Sequence, residues 1–186
     1  MEQEKNPWTI RREEVKYENP WIRVIEYDVL NPSGKEGIYG KVHFKNRAIG
    51  VVPLDEHLNT WLVGQYRFVL NSYSWELPEG GGALHADPLE AAKRELREET
   101  GLVAEEWHPL LRMHLSNSVS DELSIVYLAR KIREGNPEPE ETEQLNIKKI
   151  PFEQVYQLVE SGEITDSITV AAILKVKLML LNGEIV

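Results

Sequence analysis

Glu95, Glu98 and Glu99 lie in the run Arg94-Glu95-Leu96-Arg97-Glu98-Glu99-Thr100-Gly101-Leu102. On a helix, separations of three and four residues put all three carboxylates on one face. Like charges that close repel, so the arrangement costs stability unless a cation sits among them. Clustered carboxylate oxygens suit the hard divalent ions Mg²⁺ and Mn²⁺, which keep part of their water shell and bind phosphate oxygens. The plainer alternative is a solvated charged face, with Arg94 pairing to Glu90 and Glu98. Upstream, Glu79 leads into Gly80, Gly81 and Gly82. Glycines there let the backbone approach a metal or a phosphate closely, or simply form a turn.

The elements that must position these groups are legible around them. Asp87 is placed to cap a helix, Pro88 to occupy its first position, Glu90 to complete a capping box and Gly101 to end it. Leu89, Ala92 and Leu96 form its apolar stripe. Before the glycines, strand patterns cover Trp8–Lys16, Trp21–Leu30, Ile38–Phe44, Ala48–Pro53 and Trp61–Arg67. Turn signals fall at Asn31-Pro32-Ser33-Gly34 and at Asp55–Asn59. Glu79–Gly82 is expected to break regular structure. Beyond the helix, strands are predicted at Trp107–Leu115, Leu123–Ile132 and Leu145–Ile150, with an acidic loop over Gly135–Glu143. Helices follow at Phe152–Glu160, ended by Gly162, and at Asp166–Leu181. Strands around one strongly capped helix, with helices at the end, predict a layered α+β domain rather than regular strand–helix alternation.

The 186 residues suit one domain with a sizeable core. A net charge of −10 argues against a nucleic-acid surface, which needs clustered Lys and Arg. It does not argue against an anionic substrate, because bound metal ions carry the positive charge locally. No stretch is long and apolar enough to span a bilayer, and no leader peptide is recognisable. With no cysteine, thiol catalysis and disulfides are excluded and a cytoplasmic location is expected. The five histidines show no metal-ligand spacing.

From Gly80 to Leu102 the chain resembles the Nudix box: Gly, five residues, Glu, seven residues, then Arg-Glu-apolar-x-Glu-Glu-x-Gly-apolar. The register fits without a gap. One position departs, since Ala86 stands where the first glutamate would fall, and that leaves Glu95, Glu98 and Glu99 intact. The resemblance implies an α+β fold, an α/β/α sandwich with a mixed sheet and an N-terminal antiparallel strand extension. It implies Mg²⁺ or Mn²⁺ held by Glu95 and Glu99, with Glu98 a third ligand or a base and the Glu79 carbonyl a further ligand. Arg94 would orient the glutamates, while Gly80 and Gly81 would meet the substrate.

Gln65-Tyr66-Arg67 and Trp75-Glu76-Leu77-Pro78 are similar to the branch that hydrolyses ADP-ribose and other nucleoside diphosphate sugars. That likeness implies that Arg67 contacts the diphosphate, that Glu76 helps hold the nucleoside, and that the catalytic base comes from the acidic loop. Glu140 is favoured there, with Glu141 and Glu143 as alternatives. It further implies a homodimer, with residues 1–45 as a dimer-forming extension and 46–186 as the hydrolase domain. Trp8 would stack on a base or pack at the dimer contact. Glu160–Ser167 matches the branch's C-terminal end and is expected to serve packing. Two other readings stay open: a pyrophosphohydrolase acting on nucleoside triphosphates, and a non-catalytic ligand sensor.

Overall fold

A computed structural model describes residues 5–135 and 145–185 of the chain. They divide into two compact units. One runs up to Asn46 and also contains His114–Glu122; the other comprises Arg47–Met113 and the residues from Leu123 onward.

The first unit is an antiparallel three-stranded sheet of β1 (Thr9–Glu18), β2 (Ile22–Leu30) and β3 (Glu36–Phe44) in the order β1-β2-β3. Its β2–β3 turn follows the Asn-Pro-Ser-Gly signal. The Asn31 side chain accepts from the amides of Ser33 and Lys35, and Gly34 takes a left-handed φ of 80°. The segment 114–122 is tied to β3 through Asp121, whose carboxylate accepts from the Phe44 amide at 2.9 Å and meets His43 Nδ1 at 2.7 Å. All ten residues of β1 are exposed, among them Ile10, Val15 and Tyr17.

The second unit holds β4 (Asn46–Pro53), β5 (Asn59–Arg67), β6 (Ser72–Glu76), β7 (Glu79–Ala83), α1 (Pro88–Thr100), β8 (Val103–His114), β9 (Leu123–Arg133), β10 (Asn146–Pro151), α2 (Phe152–Glu160) and α3 (Ser167–Leu181). A four-stranded sheet runs β7-β4-β9-β8, with β4 and β9 parallel. A second sheet runs β10-β5-β6, antiparallel throughout. Alternation along β4 shows why helices cover both faces of the larger sheet. Ile49 and Val51 enter a buried cluster with Ala91, Ala92 and Leu96 of α1. Gly50, pointing the other way, lies so near Ile168 of α3 that a Cβ there would come within 2.7 Å of that side chain. A mixed sheet between helices is the layered α+β sandwich expected from the sequence. Among the described residues, no helix is long and apolar enough to cross a membrane.

Two local expectations are corrected. Glu79–Gly82 does not break regular structure but forms β7, the edge strand beside β4. At Gly82 the packing favours glycine, since a Cβ would stand 2.9 Å from Ile49 and 3.2 Å from Ala91. β6 was not foreseen, because the turn before it is Phe68-Val69-Leu70-Asn71. That turn carries three apolar residues where turn chemistry is expected, and Asn71 alone supplies a left-handed φ of 51°.

Candidate active site

α1 begins and ends as its sequence dictates. The Asp87 carboxylate accepts from the Leu89 amide, Pro88 opens the helix, and Gly101 closes it in the left-handed conformation with its amide bonded to Arg97. Glu90 pairs with Lys93 rather than Arg94. Ala92 and Leu96 are fully buried against the sheet, and this orientation sets where the glutamates go. Glu95 and Glu99, four residues apart, turn toward β7 and are almost fully buried; Glu98 lies between them in sequence and is half-buried.

The glycine strand and the acidic helix fit each other closely. Any side chain on Gly80 would collide with the Glu95 carboxylate. Glu99 Oε2 accepts the Glu79 amide at 2.9 Å, which fixes the start of β7 to the end of α1. Arg94 lies among the acids: its Nη1 bonds Glu98 at 2.6 Å, and its Nη2 bonds both the Glu95 carboxylate and the Gly81 carbonyl. The like-charge repulsion anticipated from the sequence is thus offset by one guanidinium. Arg94 titrates above its ordinary range: burial works against its charge, but Glu95 and Glu98 outweigh it.

A second guanidinium sits at the end of β5. Arg67 Nε bonds both oxygens of Glu76 at 3.0 Å, and its Nη2 bonds Glu76 and, at 2.8 Å, Glu79 Oε1. Its charge is held firmly by Glu76 even though burial opposes it. Glu76 is 3% exposed. Burial favours its neutral form, but hydrogen bonds from Arg67 and Ser74 prevail and hold it below the usual carboxylate range. Glu79 behaves oppositely. Burial and the negative charges of Asp166 and Glu76 push it well above that range, with Arg67 offsetting only part. Its Oε2 is buried without a hydrogen-bond partner.

Among the described residues, no three acidic or histidine side chains form a ready-made metal cluster. The surroundings nonetheless suit a divalent cation. The donors are hard carboxylate oxygens, negative charge is in excess around Glu79, an unpartnered buried oxygen is present, and the bare Gly80 lets the Glu95 carboxylate lie directly against the β7 backbone.

The structure therefore brings together Arg67, Glu76, Glu79, Gly80, Gly81, Arg94, Glu95, Glu98 and Glu99 in the second unit. Glu140, Glu141 and Glu143 lie outside the described residues. Trp8 belongs to the first unit, where its ring meets Tyr39 edge-on at 5.4 Å and lines a cavity of about 360 Å³ with Tyr27, Lys41 and Ser118. Sequence reasoning missed the carboxylate of Glu79, noticed only for its carbonyl, and the charge of Asp166, which acts on both Arg67 and Glu79. Asp166 was visible only as the start of a helix; its distance of nearly a hundred residues from Arg67 carried no signal.

The model of the NUDIX domain matches residues 44–170, and the model of the nucleoside diphosphate sugar hydrolase N-terminal domain matches residues 8–42. The ADP-ribose pyrophosphatase of Mycobacterium tuberculosis is 37% identical over 132 residues, 69% of this chain and 64% of that protein. The ADP-ribose pyrophosphatase of Bacillus subtilis is 29% identical over 89% of each chain. A Streptomyces rubellomurinus protein, CMP-5'-(N-acetyl-N-hydroxy-3-aminopropyl)phosphonate hydrolase, is 30% identical over 91% of this chain and 82% of its own length. A crystal structure of an ADP compounds hydrolase superposes with a TM-score of 0.85 over 98% of both chains at 22% identity.

Proposed function

The chain belongs to the Nudix family, whose hydrolases depend on divalent metal ions, and from that premise we propose that it hydrolyses the diphosphate of ADP-ribose or a related nucleoside diphosphate sugar, as a cytoplasmic homodimer. The observation that carries the reading is the pairing of an acidic helix with a bare glycine strand beside a fixed arginine: Glu99 on the Glu79 amide, Glu95 against Gly80, and Arg67 gripped by Glu76 and Glu79. The ADP-ribose pyrophosphatases among its relatives point to the same substrate class.

We assign Glu95, Glu98 and Glu99, with the Glu79 carbonyl, to holding Mg²⁺ or, in its place, Mn²⁺. A divalent ion held by these groups would supply charge neutralisation for the diphosphate and activation of the attacking water. Arg67 is partly exposed and held by two carboxylates, so it presents a pre-oriented guanidinium to a diphosphate oxygen. Glu76 is buried and engaged by Arg67, so its part is to aim that guanidinium rather than to touch the nucleoside. Arg94 keeps Glu95 and Glu98 apart and oriented. In the reaction a water oxygen bonds to one phosphorus, the bridging P–O bond breaks, and the leaving phosphate keeps the electron pair. The water's proton passes to a carboxylate, for which Glu140, Glu141, Glu143 and Glu98 are the candidates. The products are a nucleoside monophosphate and a sugar phosphate.

For the homodimer, the support is the exposed apolar surface of the N-terminal sheet, including Trp21, Ile38 and Val15, and the match of that segment to the nucleoside diphosphate sugar hydrolase N-terminal domain. The test of function is a panel of ADP-ribose, nucleoside diphosphate hexoses and nucleoside triphosphates at fixed Mg²⁺ in ¹⁸O water, with products read by mass spectrometry. ADP-ribose cleaved to AMP and ribose 5-phosphate is expected. Preference for triphosphates would replace the proposal with the nucleotide-sanitising reading.

A further inference from the structure

We propose that Thr169, in the first turn of α3, is a positioning residue that sets the spacing between the two glutamates holding Arg67. The inference rests on the proposed function for its link to substrate. Glu76 ends β6 in one sheet and Glu79 begins β7 in another, so Leu77 and Pro78 form the whole crossover between the sheets. This dipeptide is pinned from two sides. The Leu77 amide donates to Thr169 Oγ1 at 2.9 Å, and the Pro78 carbonyl accepts from the Val51 amide at 2.9 Å. Pro78 has no amide of its own, so the Leu77 bond is the crossover's one backbone donation.

Thr169 is fully buried, and so is Leu77. A hydroxyl acceptor at that place therefore has no solvent to replace it, and its loss leaves a buried amide unsatisfied. Thr169 is in turn fixed by Asp166, which caps α3 by accepting the Thr169 amide at 2.7 Å. The start of α3 thus acts on the Arg67 grip through the backbone at Leu77, with Asp166 fixing Thr169 in place. The segment Glu160–Ser167, expected to serve packing, contributes here through Asp166, which caps the helix that carries Thr169.

The experiment compares Thr169→Val, which removes the acceptor at nearly constant volume, with Thr169→Ser, which keeps it. Two readouts are taken: steady-state kinetics on ADP-ribose, and amide hydrogen exchange across residues 76–80. Thr169→Val is expected to raise KM about tenfold with kcat reduced less than threefold, and to speed exchange at Leu77. Thr169→Ser is expected to stay within twofold on KM and to keep the protection. Simple loss of folded protein would lower apparent kcat at unchanged KM. Unchanged exchange in Thr169→Val overturns the clasp whatever the activity. Faster exchange with wild-type KM overturns its role at Arg67. If the wild-type protein does not cleave ADP-ribose but exchange still accelerates, the substrate reading falls while the structural clasp stands.

Discussion

Replacing Arg67 with methionine tests the electrostatic core of the site. The substitution keeps an unbranched apolar stem and removes the guanidinium that bonds both oxygens of Glu76 and one oxygen of Glu79. Glu76 is 3% exposed, so it is left as a buried carboxylate without its counter-charge. Breaking a buried ion pair costs about 3–5 kcal/mol. Arg67 itself is 36% exposed, so water replaces part of what is lost, and the net destabilisation is roughly 2 kcal/mol. For a domain of this size that lowers Tm by about 4–8 °C. Glu76 is held below the ordinary glutamate value of 4.5 in the folded protein, so the stability it contributes is present above pH 4.5 and is lost as pH falls through its depressed value. The deficit of the variant is therefore largest at neutral pH and shrinks in acid. Loss of a charged hydrogen bond to the substrate, worth about 1.5–3 kcal/mol, lowers kcat/KM for ADP-ribose roughly 10- to 100-fold. Thermal unfolding in EDTA at pH 7 and pH 4, with parallel kinetics in Mg²⁺, measures both effects. A variant with unchanged Tm at pH 7 and kcat/KM within twofold of wild type would refute the assignment of Arg67 and Glu76.

Glu99→Gln keeps an oxygen able to accept the Glu79 amide but removes the charge; turnover is expected to fall by about a hundredfold or more with Tm nearly constant, as read by kinetics and calorimetry. Gly80→Ala forces a methyl against the Glu95 carboxylate, and a titration of activity against Mg²⁺ is expected to need several-fold more metal for half-maximal rate. In the N-terminal unit, the Glu18 carboxyl is lowered to about 2 by Arg23 and Lys45. Its stabilising contribution is present above 4.5 and fades as pH falls toward 2, so the stability gap between wild type and Glu18→Gln, followed by unfolding at several pH values, should close across that window.

Much of this protein is written locally in its sequence. The capped helix α1, the turns at Asn31–Gly34 and Asp55–Asn59, and both C-terminal helices follow from caps, periodicity and glycine punctuation, all of which act over a few residues. Family membership was likewise legible, because the spacing from Gly80 to Leu102 depends only on one short continuous segment. The structure alone decided the rest. Glu79–Gly82 has little strand propensity, yet it forms the edge strand beside β4, where Ile49 and Ala91 crowd any Cβ on Gly82 and Glu95 any on Gly80. The three glutamates share a helix, but Arg94 and the Glu79 amide determine which way each carboxylate turns. Asp166 and Thr169 reach Arg67, Glu79 and Leu77 only because α3 packs back onto the sheet crossover. Hydrogen bonds and charge act over a few ångströms regardless of chain separation, and that proximity is created by burial of the core, not by any local pattern of residues.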